Sequence, residues 1–142
     1  MPFVSITRLR VRSWLYLPGF LLYSFKSARQ AKNLPDNLAT ALLRDRRNTY
    51  WTITVWTSDA AMKSFMLSGP HREAMRKLPI WCDEASVAHW TQDSAEPPTW
   101  IEAHARLRSE GRKSKVNHPS AAHTALQFPE PRVGSASEVR FK

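Results

Sequence analysis

The segment that most limits how this chain can fold is the run TYWTITVWT at residues 49–57. Each of its residues is β-branched or aromatic, and both classes favour extended strands. Alternation along a strand places Ile53 and Val55 on one face and Thr54 and Trp56 on the other. Since a strand is not stable alone, the segments around this run have to pair with it in a sheet.

The neighbouring segments supply strands and helices in a fixed order. Period-two and helical patterns alternate along the chain, with turn residues between them. The predicted order is strand, helix, strand, strand, helix, strand, at residues 3–11, 19–33, 38–44, 49–57, 58–78 and 82–91. This is the split β-α-β arrangement, in which right-handed crossovers place both helices on one face of a four-stranded antiparallel sheet. The predicted fold class is therefore α+β, a ferredoxin-like sandwich.

The sheet face opposite the predicted helices has no cover in this arrangement. Alternation assigns Trp56 to that face, together with either His89 or Trp90. An exposed aromatic face of this size is typical of a surface that a second copy or a ligand covers. We therefore expect a homodimer that binds a small apolar or aromatic ligand.

The remaining sequence predicts extensions to one domain. Residues 1–95 form the ferredoxin-like domain, and residues 96–111 form a linker with a short helix capped by Thr99. Residues 112–142 are rich in Ser, Pro, Lys and Arg, which predicts a disordered tail. The chain holds 21 basic and 12 acidic residues, a net charge of +9. No nucleic-acid motif accompanies this charge, so we expect a solubilising tail and no specific nucleic-acid partner.

Two further features bear on location. The apolar run at residues 14–25 follows three arginines but is interrupted by Pro18-Gly19, and it is too short to span a bilayer. A buried helix accounts for it, so no membrane partner is expected. Cys82 is the only cysteine, which excludes an intrachain disulfide and favours a reducing, cytoplasmic compartment. We interpret Cys82 as a small buried side chain, with a nucleophile as the weaker alternative.

The segment YWTITVWTSDAAMKSFMLSGPHREAM at residues 50–75 resembles the antibiotic-biosynthesis-monooxygenase-like superfamily. The shared features run from a strand end to a break after the next helix: Val55-Trp56, Ser58-Asp59, Phe65 and Ser68. The resemblance covers about residues 3–91 and implies a dimeric α+β barrel with a pocket between sheet and helices. Its members include oxygenases of aromatic polyketides that use neither metal nor flavin, haem-cleaving enzymes, and bacterial proteins without known activity.

The haem-cleaving branch is the least similar to this chain. It uses an asparagine on the first strand, a tryptophan on the second helix and a histidine further along that helix. These positions fall on Thr7, Phe65 and Met75 here, and none matches. His71 lies one turn before Met75, so haem binding through His71 or His89 is the weakest functional alternative.

His71 and His89 are the candidate catalytic residues. A base that removes a proton from an activated phenol has to titrate near neutral pH, which histidine does. His71 follows the Gly-Pro break at a helix start, and His89 lies in the last predicted strand. The structural alternatives are a surface histidine in the first turn of a helix and a half-buried strand histidine bonded to backbone.

Four aromatic side chains are the candidate substrate-binding residues: Trp51, Trp56, Phe65 and Trp90. Flat apolar walls suit a planar ligand, although aromatic residues in strands also commonly form core. No phosphate-binding glycine loop, hydrolase elbow or zinc-protease motif occurs, which argues against those enzyme classes. The resemblance implies a monooxygenase-like oxidoreductase without metal or cofactor, and a non-catalytic ligand-binding or dimer-scaffold protein stays open as the alternative.

Overall fold

The computed structural model describes residues 1–133 and 138–141. Its strands and helices follow the predicted order through residue 91 and then continue. The elements are β1 (Phe3–Val11), α1 (Leu17–Lys32), β2 (Asn37–Asp45), β3 (Thr49–Trp56), α2 (Asp59–Met66), α3 (Gly69–Trp81), β4 (Cys82–Thr91), α4 (Trp100–Glu110), β5 (Arg112–Lys113), α5 (Ala121–Ala125) and β6 (Glu138–Phe141). A short 3-10 turn, Trp14–Tyr16, leads into α1.

The six described strands form one antiparallel sheet in the order β5-β4-β1-β3-β2-β6. β1 lies at its centre and pairs with β3 and β4 along nearly its whole length. The four central strands keep the predicted split β-α-β order. The predicted number of strands was wrong, because β5 and β6 from the C-terminal part of the chain extend the two edges.

Helices α1, α2 and α3 cover one face of the sheet. Ser58 caps α2 as its sequence predicts, because its Oγ accepts a hydrogen bond from the Ala61 backbone N–H. Trp56 lies on this helix-covered face, with its ring 4.9 Å from that of Phe65. The assignment of Trp56 to the opposite face was therefore wrong. The prediction of which β3 residues share a face is correct. The face of Trp56, however, is the one that α1, α2 and α3 cover.

Helix α1 presents an inner face that differs from the predicted one. Leu17, Phe20, Ala28 and Ala31 are buried, whereas Phe25 is 54% exposed. The spacing of Leu21, Phe25 and Ala28 in the sequence predicts one buried face for all three, but the helix is rotated so that Phe20 packs inward and Phe25 points to solvent. No helix in the described residues is long and apolar enough to cross a membrane.

Helix α4 covers the other face of the sheet. Trp100, Ala103 and Leu107 are almost fully buried and share one core with Ile53 and Val55 of β3. Thr99 caps this helix, since its Oγ1 accepts from the Glu102 backbone N–H. The face that was expected to be bare is thus packed by the chain's own helix. The physical reason given for a homodimer does not hold, and the homodimer stays a prediction without that support.

The segment after α4 also packs on the domain. Phe128 lies over the buried Arg8, whose guanidinium is 5.0 Å from its ring centroid. The same guanidinium donates to Glu84 Oε1 at 2.7 Å. The structure differs here from the predicted disordered tail, because β5, α5 and β6 are regular elements within it. Residues 134–137 and 142 of that predicted tail lie outside the described residues.

Truncating Leu107 tests whether α4 belongs to the core. We expect Leu107→Ala to lower the free energy of unfolding by about 3 kcal/mol, because it removes a fully buried side chain and leaves a cavity. Ile101→Ala is the matched control on the same helix, since Ile101 is 63% exposed. It should change stability by less than about 0.5 kcal/mol. Equal effects in urea unfolding would contradict the packing of α4 on the sheet.

Candidate functional site

A pocket of about 240 Å³ lies between the sheet and helices α1, α2 and α3. The sheet forms its floor and the three helices form its walls. Its existence follows from side-chain size. The floor carries Ser and Thr, and α1 contributes Ser24, Ser27, Ala28 and Ala31. Residues this small cannot fill the space between a sheet and a helix layer, so a gap remains where larger side chains would make a solid core.

The floor is a set of aligned hydroxyl rows. Ser5 of β1 pairs with Thr54 on one side and His89 on the other. Two residues along β1, Thr7 pairs with Thr52 of β3. All five side chains line the pocket. Hydroxyl groups can donate or accept, so this floor offers hydrogen bonds to a ligand with oxygen substituents.

The walls are largely apolar. Phe65 of α2, Phe20 of α1 and three residues of α3 line them: Met75, Leu78 and Trp81. Phe20 and Trp81 make an edge-to-face contact with ring centroids 6.3 Å apart. An apolar cleft with a few convergent polar groups is the usual form of a small-molecule site.

His71 stands in the first turn of α3 and lines the pocket. Its Nδ1 lies 3.3 Å from the Met66 backbone carbonyl oxygen. A carbonyl can only accept, so the neutral ring carries its proton on Nδ1 and leaves the lone pair on Nε2. Burial lowers the pKa of His71 below its ordinary value, although the Met66 bond partly opposes this. The ring is therefore neutral at physiological pH, and the lone pair on its Nε2 can accept a proton.

Gln30 of α1 fixes His71 in this position. Its Oε1 accepts from the His71 backbone N–H at 3.0 Å, and its Nε2 donates to the Ser68 carbonyl oxygen at 2.9 Å. These bonds hold the break between α2 and α3, where Gly69 has a φ of +57°. The His71 ring also lies 4.5 Å from that of Phe65. One amide side chain thus joins three helices around the histidine.

His89 is the second histidine of the pocket. Its Nε2 is buried and has no hydrogen-bond partner within the described residues. Burial lowers the pKa of His89, and the positive charge of Arg112 lowers it further. Ser27 Oγ, also in the pocket wall, likewise lacks a partner in this part of the chain. Buried polar atoms are normally bonded, so both atoms are suited to contact a bound molecule.

The structure brings together three of the six candidate residues. His71, His89 and Phe65 line the pocket, and Trp56 packs behind Phe65 without reaching the cavity. Trp51 and Trp90 lie in the core beneath α4, on the opposite side of the sheet. They were expected beside the ligand. Each follows or precedes a pocket residue by one position in its strand, so its side chain points to the opposite face of the sheet.

Several pocket residues were missed by sequence reasoning. Thr52 and Thr54 share a strand face with Trp56, and the sequence assigned that face to the side of the sheet without helices. Gln30 gave no signal, since a lone glutamine on a helix is usually a surface residue. Thr7, Phe65 and Met75 line the pocket, and these are the positions that the resemblance aligns with the haem-cleaving residues.

Two other chemistries find little support in the described residues. No group of three or more His, Cys, Asp or Glu side chains there could hold a metal ion. Burial raises the pKa of the Cys82 thiol to about 12, with a further contribution from Asp83. The thiol is therefore protonated at physiological pH, which agrees with its interpretation as a small buried side chain.

Residues 16–130 match the family described as Domain of unknown function (DUF3291). A comparison with curated proteins gave no sequence match. Among solved structures, the fold is similar to the cofactor-independent oxygenase SnoaB from Streptomyces nogalater, with a TM-score of 0.54 and 19% identity over 66% of this chain and 94% of that one. It is also similar to an antibiotic biosynthesis monooxygenase, with a TM-score of 0.57 and 13% identity over 65% of this chain and 99% of that one.

A third similar structure is Rv0793 from Mycobacterium tuberculosis, with a TM-score of 0.58 and 13% identity over 68% of this chain and all of that one, 100%. These likenesses confirm the predicted α+β fold of the central part of the chain. Identities this low carry no residue roles, so the chemistry of the pocket has to be argued from its own side chains.

The lowered pKa values of the pocket histidines predict how stability depends on pH. Below the ordinary histidine pKa of 6.5, His71 and His89 bind protons more readily in the unfolded chain than in the folded one. The free energy of unfolding should therefore fall as the pH drops from about 7.5 to about 5.5. His71→Gln should reduce this fall in urea titrations, because it removes one of the three histidines whose pKa the fold lowers, the third being His123. An unchanged pH dependence in that variant would contradict the buried neutral state.

Proposed function

This chain belongs to the DUF3291 family, and from that premise and the chemistry of its pocket we propose that it is a cofactor-independent monooxygenase of a small, largely apolar aromatic molecule. The observation that carries the proposal is His71. It is a half-buried, neutral histidine that lines a largely apolar cavity, and its Nε2 makes no hydrogen bond within the described residues. The similarity of the fold to a cofactor-independent oxygenase supports the same reaction class.

The proposed reaction converts an activated methylene group, one flanked by aromatic rings or a carbonyl, into a ketone. His71 Nε2 removes one proton from this carbon and leaves a stabilised carbanion. The carbanion transfers an electron pair to O₂, which forms a C–O bond and, after protonation, a hydroperoxide. Loss of water then breaks the O–O bond and the remaining C–H bond. One oxygen atom ends in the ketone and the other in water, so O₂ is the only oxidant required.

The protein's part in this scheme is to lower the cost of forming the anion and to hold it away from water. General-base removal of a proton contributes about 10²–10⁴-fold in rate. The hydroxyl floor of Ser5, Thr7, Thr52 and Thr54 would donate to the developing oxyanion, in which the negative charge is delocalised. The apolar walls would orient the rings and exclude solvent.

His89 has a different part in the proposal. Its Nε2 is buried and makes no hydrogen bond in the described part of the chain, and His89 lies in the same row as Ser5 and Thr54. A neutral histidine in that place can donate to, or accept from, an oxygen substituent of the ligand. We therefore assign His71 the role of base and His89 that of a substrate-binding residue.

Anthrone, which has a methylene flanked by two aromatic rings and a carbonyl opposite, is a suitable probe. With the full chain we expect oxygen consumption and a quinone absorbance, in equal molar amounts. His71→Gln should lower kcat by about 10²-fold or more, and kcat/KM of the unmodified protein should rise with pH through a pKa below 6.5. His118→Gln is the matched control, since His118 is exposed and outside the pocket.

The three functional alternatives give different outcomes in the same experiment. Turnover that His71→Gln leaves within about twofold would remove the proposed base. Saturable anthrone binding without oxygen uptake would favour a ligand-binding protein. A Soret shift on titration with haem, lost in His71→Gln or His89→Gln, would favour haem binding instead.

A further inference from the structure

The start of α1 carries an unusual amount of exposed apolar surface. Trp14 is 71% exposed, Leu15 80%, Leu22 53% and Phe25 54%. We call these four side chains the α1 outer face. The other five tryptophans of the chain are at most 9% exposed, so Trp14 is an exception even within this protein. Large apolar side chains grouped on one surface mark an interaction site more often than scattered ones do.

The spacing of these residues produces a continuous stripe. Leu15, Leu22 and Phe25 are separated by seven and three residues, which keeps them on one side of a helix. The 3-10 turn at residues 14–16 places Trp14 and Leu15 at the tip, ahead of α1. Further along the same side, Arg29 and Lys32 are exposed, so the stripe ends in positive charge.

A second, polar feature lies directly beside the tip. Five arginines line a cleft between the start of the turn and the β2–β3 hairpin, and Trp14 lines the same cleft: Arg10, Arg12, Arg44, Arg46 and Arg47. We call it the arginine cleft. Its one carboxylate, Asp45, is bonded elsewhere: Oδ2 accepts from the Trp51 indole N–H, and Oδ1 from the backbone N–H groups of Arg46 and Arg132.

The charge of the cleft is only partly satisfied within the described residues. Arg10 pairs with Asp83 and Glu84, and Arg12 donates to the Ile80 carbonyl and to Tyr16. Arg44, Arg46 and Arg47 make no ion pair in that part of the chain. The first 35 residues contain no acidic residue at all. The surface around Trp14 therefore combines apolar side chains with an excess of cations.

We propose that the α1 outer face and the arginine cleft dock this protein on the surface of an anionic lipid bilayer. Trp14 and Leu15 would enter the boundary between headgroups and acyl chains, where tryptophan rings are favoured. The guanidinium groups of Arg44, Arg46 and Arg47 would bind lipid phosphates. The sequence had suggested no membrane partner, but that expectation depended on a buried helix, and these four side chains are exposed.

The positive charge of this surface also distinguishes between its possible binding partners. A second copy docked on this face would bring another net charge of +9 and place the two arginine clefts near each other, which costs free energy. A nucleic acid would use the arginines but would leave the apolar side chains of Leu15, Leu22 and Phe25 in water. An anionic surface with an apolar layer beneath it matches both features.

Docking in this orientation has a consequence that rests on the proposed function. The inner side of α1, through Phe20, Ser24 and Ser27, forms a wall of the pocket. A bilayer on the outer side of the same helix would hold the pocket close to apolar molecules dissolved in lipid. Docking itself is measured without turnover, so it can fail or succeed independently of the oxygenase chemistry.

The test uses the full chain and sedimentation with vesicles of phosphatidylcholine alone or mixed with phosphatidylglycerol. We expect binding to the mixed vesicles that weakens as salt is added, and little binding to phosphatidylcholine alone. Vesicles with brominated acyl chains should quench part of the tryptophan fluorescence, and Trp14→Phe should remove this quenching, because the other tryptophans are buried. Unquenched fluorescence on bound vesicles would overturn the insertion of Trp14.

Two pairs of variants test the two halves of the surface. Trp14→Ser with Leu15→Ser should weaken binding about tenfold or more, whereas Leu67→Ser, an equally exposed position on another helix end, should not. Arg46→Ala with Arg47→Ala should weaken it about 25-fold, at about fivefold per charge. Arg108→Ala with Lys115→Ala removes the same charge elsewhere on exposed positions and should have a smaller effect.

Several results would overturn the proposal. Equal weakening by the two charge pairs would mean attraction by net charge only. Loss of a dimer in sedimentation equilibrium on Trp14→Ser would identify a second copy as the occupant. Binding of a short single-stranded RNA that competes fully with vesicles and depends on Trp14 would identify a nucleic-acid surface.

Discussion

The pairing of β1 with β3 and β4 is the constraint on which the rest of the structure depends. β1 lies between them at the centre of the sheet, and its side chains alternate between two faces that both have to be shielded from water. Val4 and Ile6 point to one face and are fully buried there. Ser5 and Thr7 point to the other and form the pocket floor. One strand therefore supplies a solid core and a cavity on its opposite sides.

The cavity exists because the small side chains lie on the sheet face toward α1, α2 and α3. On the α4 side, Trp51, Ile53 and Leu107 fill the space between sheet and helix. On the other side, hydroxyl and alanine side chains leave a gap that Phe65, His71 and Trp81 border without filling. A solid core would be more stable, because each void loses contacts between atoms. Stability given up at one place in a fold is commonly associated with a ligand site.

Much of the architecture could be predicted because local sequence patterns determine it. The strand alternation of β1 and β3, the Ser58 and Thr99 caps and the Gly69-Pro70 break all act over a few residues. The errors concern long-range packing. Trp56 was placed on the correct face of its strand, but the assignment of that face to the helices or to the bare side required knowledge of α4. The same missing information explains why Trp51 and Trp90, expected beside a ligand, lie in the core beneath α4.

By itself, the sequence determined the order of the strands and helices, the partition of each strand into two faces and the presence of His71 at a helix start, since these follow from spacing along the chain. Only the tertiary structure decided that α4 covers the second face, that Gln30 and Met66 hold His71 with its Nε2 free, and that Trp14 stays exposed beside five arginines. These features join residues that are far apart along the chain, and no local pattern specifies which of them will meet.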